Sequence, residues 1–515
     1  MNSKQLKLGA ILSYAQTALS ILIGVIYTPL MIRLLGQNEY GLYNTVSSTI
    51  SALSVLNLGF GASYIRYFSR YKKKQDKDAQ KKLNGLFLVI FLVIGLVALL
   101  CGLYLTTHLE YVFDTGLTTE EYDVARILMF LLTLSLSISF PTSVFANIIS
   151  AHEHYAILKA VVLIRTIVSP LVTLPLLLIG YRSIAIVVTT ILFSAISDLI
   201  NLYYVFNVLK CKFSFALPEP GLFKELITYT SFIAINLVVD QINWNIDKML
   251  LARFKGSASV AVYSVGFSLY AYYQSFSTSI SGVFTPRIHQ IVNATKTDLS
   301  EQRIQLTQLF TKVGRIQFFL LSLVSSGFVF FGKPFIVCFW AGAEYERAYY
   351  VALLLMLPAS IALIQNTGIE IQRALNKHRF RSFAYSIMAL FNLIISIYLC
   401  QIYGEIGSAI GTALSLIVAN GLIINFYYHF KCNIDMHVFW RNILSASRGL
   451  AVPLSFGFIL IHTVDMTHPL RFTFSIICYS LVYCASIWSF GMNKFEQNLI
   501  RTPLITVWRK QKNAR

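Results

Sequence analysis

Apolar runs long enough to cross a bilayer recur along nearly the whole chain, about fourteen of them, joined by short connections. Roughly 20 mostly apolar residues make one helical crossing, and in lipid only helices and closed barrels satisfy their own backbone groups. Leu83 to Thr106 and Ile443 to Thr463 are continuous runs, without the alternation that a barrel strand requires. The expected fold is therefore all-α and polytopic. What the protein does has to be read from whatever interrupts its apolar surface.

Spans are expected near 8–33, 39–69, 83–106, 123–150, 156–179, 183–206, 222–253, 257–291, 307–331, 345–371, 379–402, 406–430, 443–463 and 470–490. Lys4 and Lys7 ahead of the first run resemble a signal peptide. The run continues to about Met31 without a small-residue cleavage site, so a retained first helix is expected.

Only 13% of residues are charged against 56% hydrophobic, at a mean hydropathy of +0.64. The net charge of +19, from 42 Lys and Arg against 23 Asp and Glu, would suggest nucleic acid in a soluble chain. In a membrane chain basic residues hold cytoplasmic loops inside, so membrane lipids and not nucleic acid are the expected partners. Arg70, Lys72, Lys73, Lys74, Lys77, Lys81 and Lys82 make the second connection cytoplasmic. Glu110, Asp114, Glu120, Glu121 and Asp123 make the third external. Arg373, Lys377, Arg379 and Arg381 lie inside again, as do Arg501, Arg509, Lys510, Lys512 and Arg515 on the tail. Both termini are then cytoplasmic, which requires an even number of spans.

The seven cysteines include no CxxC, and several lie inside apolar runs, so they read as small core residues. His152-Glu-His154 lacks convergent geometry and a third ligand, so no metal is expected. A phosphate-cradling GKT or GKS loop is absent, which excludes ATP hydrolysis by that route. No cofactor is expected.

Lys210 to Gly221, with Pro218 and Pro220, divides the chain after the sixth span. The expected organisation is a six-helix bundle over 1–209, a linker over 210–221, a second bundle over 222–432, two further helices over 433–492 and a basic tail over 493–515. The halves resemble each other at an offset of about 220 residues: Gly36-Gln-Asn-Glu-Tyr-Gly-Leu-Tyr43 falls against Gly256-Ser-Ala-Ser-Val-Ala-Val-Tyr263. Asn44, Ser48, Ser51 and Ala62 then correspond to Ser264, Ser268, Ala271 and Gly282, a small polar stripe in each half. Repeated halves with substrate held between them near mid-membrane are a common transporter plan.

The seventh span carries Tyr229, Asn236, Asp240, Asn243 and Asp247 within about 60° of one another around the helix. Such a line cannot face lipid cheaply. It is either a cation site or substrate path, or a buried hydrogen-bonded network. Arg165 and Asp198 fall at similar depths in neighbouring spans and are expected to form an ion pair. Arg66 and Arg70 end the second span and Arg287 ends the eighth. Arginine suits phosphate, although positive-inside anchoring places it there too. Glu370 and Arg373 are expected to make a helix-end contact three residues apart.

Thr28-Pro-Leu-Met-Ile-Arg-Leu-Leu-Gly-Gln-Asn-Glu-Tyr-Gly-Leu-Tyr43 resembles a motif of polysaccharide-export flippases in the multidrug/oligosaccharidyl-lipid/polysaccharide exporter superfamily. Asn245-Ile-Asp-Lys-Met-Leu-Leu-Ala-Arg-Phe-Lys-Gly256 with Val262-Tyr263, and Phe284-Thr-Pro-Arg-Ile288, extend the likeness over essentially all spans. The resemblance implies two six-helix bundles around a central cavity plus two C-terminal helices. It implies movement of an undecaprenyl-diphosphate-linked oligosaccharide to the outer leaflet of a bacterial cytoplasmic membrane, not an enzymatic reaction. Polysaccharide polymerase and chain-length machinery are the partners it implies. Mapped here, Arg66, Arg287, Arg165 and Arg70 would hold the diphosphate. Asp240 and Asp247, with Asn236 and Asn243, would couple an ion. The related lipid II flippases carry arginines within the first helix, whereas none lies between Lys7 and Arg33 here; this departure counts against a peptidoglycan precursor as cargo. Two alternatives stay open: a drug/cation antiporter of the same superfamily, and a membrane polymerase or glycosyltransferase, which usually presents larger external loops.

Overall fold

The computed structural model describes residues 3–113, 117–216, 221–295, 298–377, 379–498 and 501. Asp114, Pro218, Pro220, Arg509, Lys510, Lys512 and Arg515 lie outside the described residues. Every regular element among the described residues is helical, and twelve stretches are long and apolar enough to cross a membrane.

The helices pack into two compact units, Met1–Val265 with Tyr385–Thr412, and Gly266–Ala384 with Ala413–Arg515. The first contains α1 (Ser3–Leu35), α2 (Gln37–Ala52), α3 (Phe60–Lys73), α4 (Lys77–Thr107), α5 (Thr119–Ala151), α6 (Tyr155–Ile179), α7 (Arg182–Tyr203) and α8 (Leu222–Lys255). α9 (Ser257–Ser281) begins in the first unit and ends in the second. The second unit continues through α10 (Thr285–Ala294), α11 (Leu299–Pro334), α12 (Glu346–Leu363) and α13 (Thr367–Ala374). The middle of α14 (Arg379–Leu416) belongs to the first unit. α15 (Ile424–Lys431), α16 (Met436–Ser447), α17 (Ala451–Thr463) and α18 (Pro469–Ser486) complete the second.

Three expected spans are interrupted. The run 39–69 breaks between α2 and α3, where Leu58 (φ 48°) and Gly59 (φ 79°) take left-handed conformations. Gly59 also meets α8: a Cβ there would come within 2.4 Å of Ile233 Cγ2. The run 257–291 breaks at Gly282–Phe284, and α10 restarts with Pro286 in its first turn, where a missing N–H costs nothing. The run 345–371 breaks between α12 and α13, leaving a short turn at 364–366. The runs 379–402 and 406–430 form one helical stretch, Arg379–Lys431, interrupted at Gly404 (φ 61°, ψ −132°). Backbone of Leu399 meets Gly407 and that of Ser396 meets Gly411, so the stretch folds back as a helical hairpin.

Gly36 (φ 76°, ψ 169°) and Gly256 (φ 82°, ψ 179°), aligned above as repeat partners, share one backbone conformation. That region of φ/ψ space is essentially restricted to glycine. Nothing lies within 4 Å of a Cβ added at either. Gly36→Ala or Gly256→Ala should therefore cost about 1–3 kcal/mol from backbone strain alone, without a steric clash. Thermal unfolding of the purified variants measures this; an unchanged midpoint in both would show that the turns relax freely.

An aromatic cluster including Phe60, Tyr64, Phe68, Phe87, Phe91 and Phe145 anchors the first unit. Tyr64 donates to Asn84 Oδ1 (2.7 Å), and Asn84 Nδ2 donates to the Lys212 carbonyl (3.0 Å), stitching the segment after α7 onto α4. The second unit is organised around Arg315 of α11, whose side chain is only 5% exposed. Its Nε and Nη2 donate to the two Glu496 carboxylate oxygens at 2.5 and 2.8 Å. Nη1 donates to the Asn442 carbonyl (2.7 Å), and Nη2 also donates to that of Gly491 (2.8 Å). On the same helix Ser322 pairs with the Tyr483 hydroxyl (2.6 Å), and Ser326 accepts from that of Tyr479 (2.8 Å). Where lipid offers no hydrophobic gain between helices, polar contacts and packing of this kind hold them together.

Candidate functional site

The polar line of α8 runs from Tyr229 to Asp247, about 27 Å at 1.5 Å per residue. Its two ends carry different chemistry. At the Tyr229 end, α3 supplies two cations. The Arg66 guanidinium sits 4.2 Å from the centre of the Tyr229 ring. Arg70 Nη1 meets Glu225 Oε1 at 3.3 Å, with both side chains about half exposed. An exposed cation–π contact contributes about 0.5–1 kcal/mol and an exposed ion pair about 0–1 kcal/mol. A phosphate offering bidentate, charge-assisted hydrogen bonds would displace either partner.

Midway along α8, Gln241 Nε2 donates to Ser54 Oγ (2.8 Å) in the break between α2 and α3, and Asn245 Nδ2 donates to Gln241 Oε1 (2.5 Å). Asn236 and Asp240 are exposed, each with an interaction of its own, and Asn243 is half-buried.

The Asp247 end is closed. Asp247 is 3% exposed and ringed by hydroxyls. Its Oδ1 accepts from Ser408 Oγ (2.6 Å), and its Oδ2 accepts from the Tyr263 hydroxyl (2.6 Å) and Thr412 Oγ1 (2.9 Å). Behind them Asn392 Oδ1 accepts from Ser396 Oγ (3.0 Å). Tyr263 closes the repeat motif that begins at Gly256. Ser396 and Asn392 sit on one arm of the α14 hairpin, Ser408 and Thr412 on the other. Among the described residues no cation makes a contact ion pair with Asp247. A buried carboxylate solvated by three hydroxyls suits a proton or a small monovalent cation.

Sequence reasoning picked out Asp247 but missed its shell. A signal was available: Asn392 with Ser396 and Ser408 with Thr412 are polar pairs four residues apart, one on each side of Gly404.

Arg165 and Asp198 are both half-buried and act on one another electrostatically. They stop short of contact, and the hydrogen bond to the Asp198 carboxylate comes instead from Thr142 Oγ1 (2.8 Å). Arg287 belongs to the second unit, exposed on α10, where its Nη1 donates to Gln290 Oε1 (3.4 Å). Arg373 and Glu370 make the expected contact (2.6 Å). His152 Nδ1 lies against the Ile148 carbonyl and His154 Nδ1 against the Tyr204 hydroxyl. Among the described residues no group of three His, Cys, Asp or Glu converges as a metal site.

Residues 6–292 match the family described as polysaccharide biosynthesis protein. A search of curated proteins finds no match. Among solved structures, the chain is similar to the lipid II flippase MurJ in an inward closed conformation. That likeness has a TM-score of 0.71 at 17% identity and covers 97% of this chain and 99% of that one. It is also similar to the MATE multidrug transporter DinF-BH, with a TM-score of 0.59 at 17% identity over 85% and 97% of the two chains. The Vibrio cholerae MATE transporter VcmN in its bent form gives 0.54 at 15% identity over 85% and 99%. At these identities the likenesses establish the fold.

Proposed function

The chain belongs to the polysaccharide biosynthesis protein family, and on that footing we propose that it is a flippase carrying a lipid-linked oligosaccharide across the bacterial cytoplasmic membrane. The observation that carries this reading is the division of labour along α8: two loosely held arginines at one end and a closed, hydroxyl-ringed acid at the other. A diphosphate with attached sugars cannot cross hydrocarbon unaided, whereas its polyprenyl tail is at home there. Arg66 and Arg70 exchange Tyr229 and Glu225 for the diphosphate at the inner face. Arg287 on α10 serves in the second half as they do in the first, and Arg165, near Asp198 but out of contact with it, is a further phosphate ligand. Asp247 takes up and releases a proton or monovalent cation as the cycle turns, with Asp240, Asn236 and Asn243 lining its approach.

The proposed architecture has fourteen spans: Gly404 divides one long stretch into two, and α9 is a crossing enriched in serine and tyrosine. The proposed working parts are bundles over 1–209 and 222–432, joined at 210–221, with 433–492 attached and 493–515 as a basic tail. Rocking of the two halves would expose the substrate to each leaflet in turn. The shared conformation of Gly36 and Gly256 supports such a repeat. A polysaccharide polymerase working on the exported units is the expected partner.

The test is leaflet-resolved transport of an undecaprenyl-diphosphate oligosaccharide by the purified protein in vesicles, with imposed proton, sodium and voltage gradients. Gradient-dependent appearance of the glycan in the opposite leaflet is expected, with loss of that transport when Arg66 and Arg287 are both replaced by Ala. Transport of hydrophobic cations without lipid-linked sugar would favour the antiporter alternative instead.

A further inference from the structure

A groove of about 770 Å³ lies between α15, with the turn of helix before it, and α16, and shares no residue with the polar line of α8. One wall is apolar, with Phe426 and Phe430 exposed along it. The other is one face of α16 and the turn that follows it, where His437, Arg441, Leu444 and, just past the helix, Arg448 follow at spacings of four, three and four residues. Arg441 and Arg448 are exposed, and among the described residues neither side chain has a hydrogen-bond or ion-pair partner.

The neighbouring polar groups are already engaged. Asp435, which caps the start of α16, meets Arg303 (3.3 Å) and accepts the His437 and Val438 backbone N–H groups. Asn425 Oδ1 is taken by Trp440 Nε1 (2.7 Å), and His429 Nδ1 accepts the Met436 N–H (3.3 Å). Two guanidinium groups are therefore left beside an aromatic wall.

Depth decides what fills the space. The stretch Met436–Thr463 is long and apolar enough to cross the membrane. At about 1.5 Å per residue, Arg441 stands roughly 8 Å along it and Arg448 roughly 18 Å. Lys377, whose Nζ donates to the Lys431 carbonyl, and Lys431 mark this end as the basic, cytoplasmic one. An unpaired guanidinium at Arg448's depth is expensive in hydrocarbon, and an apolar occupant would leave that cost in place. An amphiphile with a negative head and apolar tails meets both walls. Basic pockets between helices on the cytoplasmic side suit such headgroups.

We propose that this groove is a binding site for an anionic glycerophospholipid of the cytoplasmic leaflet. Its phosphate lies between Arg441 and Arg448, and its acyl chains lie along Phe426, Phe430 and Leu444. The site is independent of the transport reading, because it needs neither the diphosphate arginines nor Asp247.

Trp440 lines the groove and provides the probe. The full-length protein in detergent is titrated with phosphatidylglycerol or phosphatidylcholine brominated on the acyl chains. Quenching due to Trp440 is taken as the difference from Trp440→Phe. Phosphatidylglycerol should quench at a mole fraction at least about tenfold lower than phosphatidylcholine, a ratio equivalent to about 1.4 kcal/mol. The double variant Arg441→Gln/Arg448→Gln should lose that preference. Equal quenching by the two lipids in the wild type overturns the proposal, and this comparison needs no variant with altered charge. An unchanged preference in the double variant overturns it as well. So does displacement of the brominated lipid by polyprenyl diphosphate but not by unlabelled phosphatidylglycerol, because the groove would then belong to the transported substrate.

Discussion

Asp247→Asn should abolish gradient-driven transport, at least about 100-fold, while leaving the protein as stable as the wild type or more so. Transport and stability are expected to part company for a physical reason. Asparagine keeps the shape of the side chain, and the hydroxyls of Tyr263, Ser408 and Thr412 can rotate to suit an amide. Removing a buried charge also removes its desolvation cost. What is lost is the capacity to bind a proton or cation, together with the attraction between Asp247 and the adjacent Lys248. Leaflet-resolved flux and thermal unfolding, measured on one preparation, separate the roles. Loss of stability with transport kept per folded molecule would mark Asp247 as a structural hydrogen-bond acceptor and remove it from the coupling scheme.

Arg315→Ala should be the most destabilising single substitution in the second unit, costing about 3–5 kcal/mol. It strands the Glu496 carboxylate in a site where both side chains are 5% exposed, and it leaves the Asn442 and Gly491 carbonyls without their donor. The double variant Arg315→Ala/Glu496→Ala should recover part of the loss, because the stranded charge goes with its partner. A double-mutant cycle read by thermal unfolding gives the coupling directly. A coupling near zero would mean that packing of the last helices, and not this pair, holds them to α11.

The helical membrane class was legible because a bilayer demands long apolar runs, and those survive any detail of packing. The breaks were harder to see. Three glycines lie in 39–69, Gly41, Gly59 and Gly61, and nothing in the sequence marks Gly59 as the break: its meeting with Ile233, distant in sequence and supplied by α8, appears only on folding. The α8 line was legible through its spacing, and so was Asp247 as a buried acid. Its hydroxyl shell was not, since Ser408 and Thr412 lie more than 160 residues away and serine and threonine are ordinary in membrane helices. The Arg315–Glu496 pair escaped for a similar reason. Arg315 lies well inside α11 and Glu496 beyond the last expected span, so nothing in the sequence joins them, and only folding shows that both are dry. Arg165 and Asp198, expected as an ion pair from their similar depth, act on one another electrostatically without contact, and the hydrogen bond to Asp198 comes from Thr142, which no spacing in the sequence links to them.

The residues around Asp247 all follow Gly221 in the chain, whereas the partners of Tyr229 and Glu225 all precede Lys210. A gene severed at that point would encode the entire acid shell on its second fragment and would separate each α8 partner from its arginine. Reassembly of two such fragments would thus depend on the whole face of α8 that meets α2 and α3, from Arg66 and Arg70 to Ser54, and would leave the acid shell intact within one fragment.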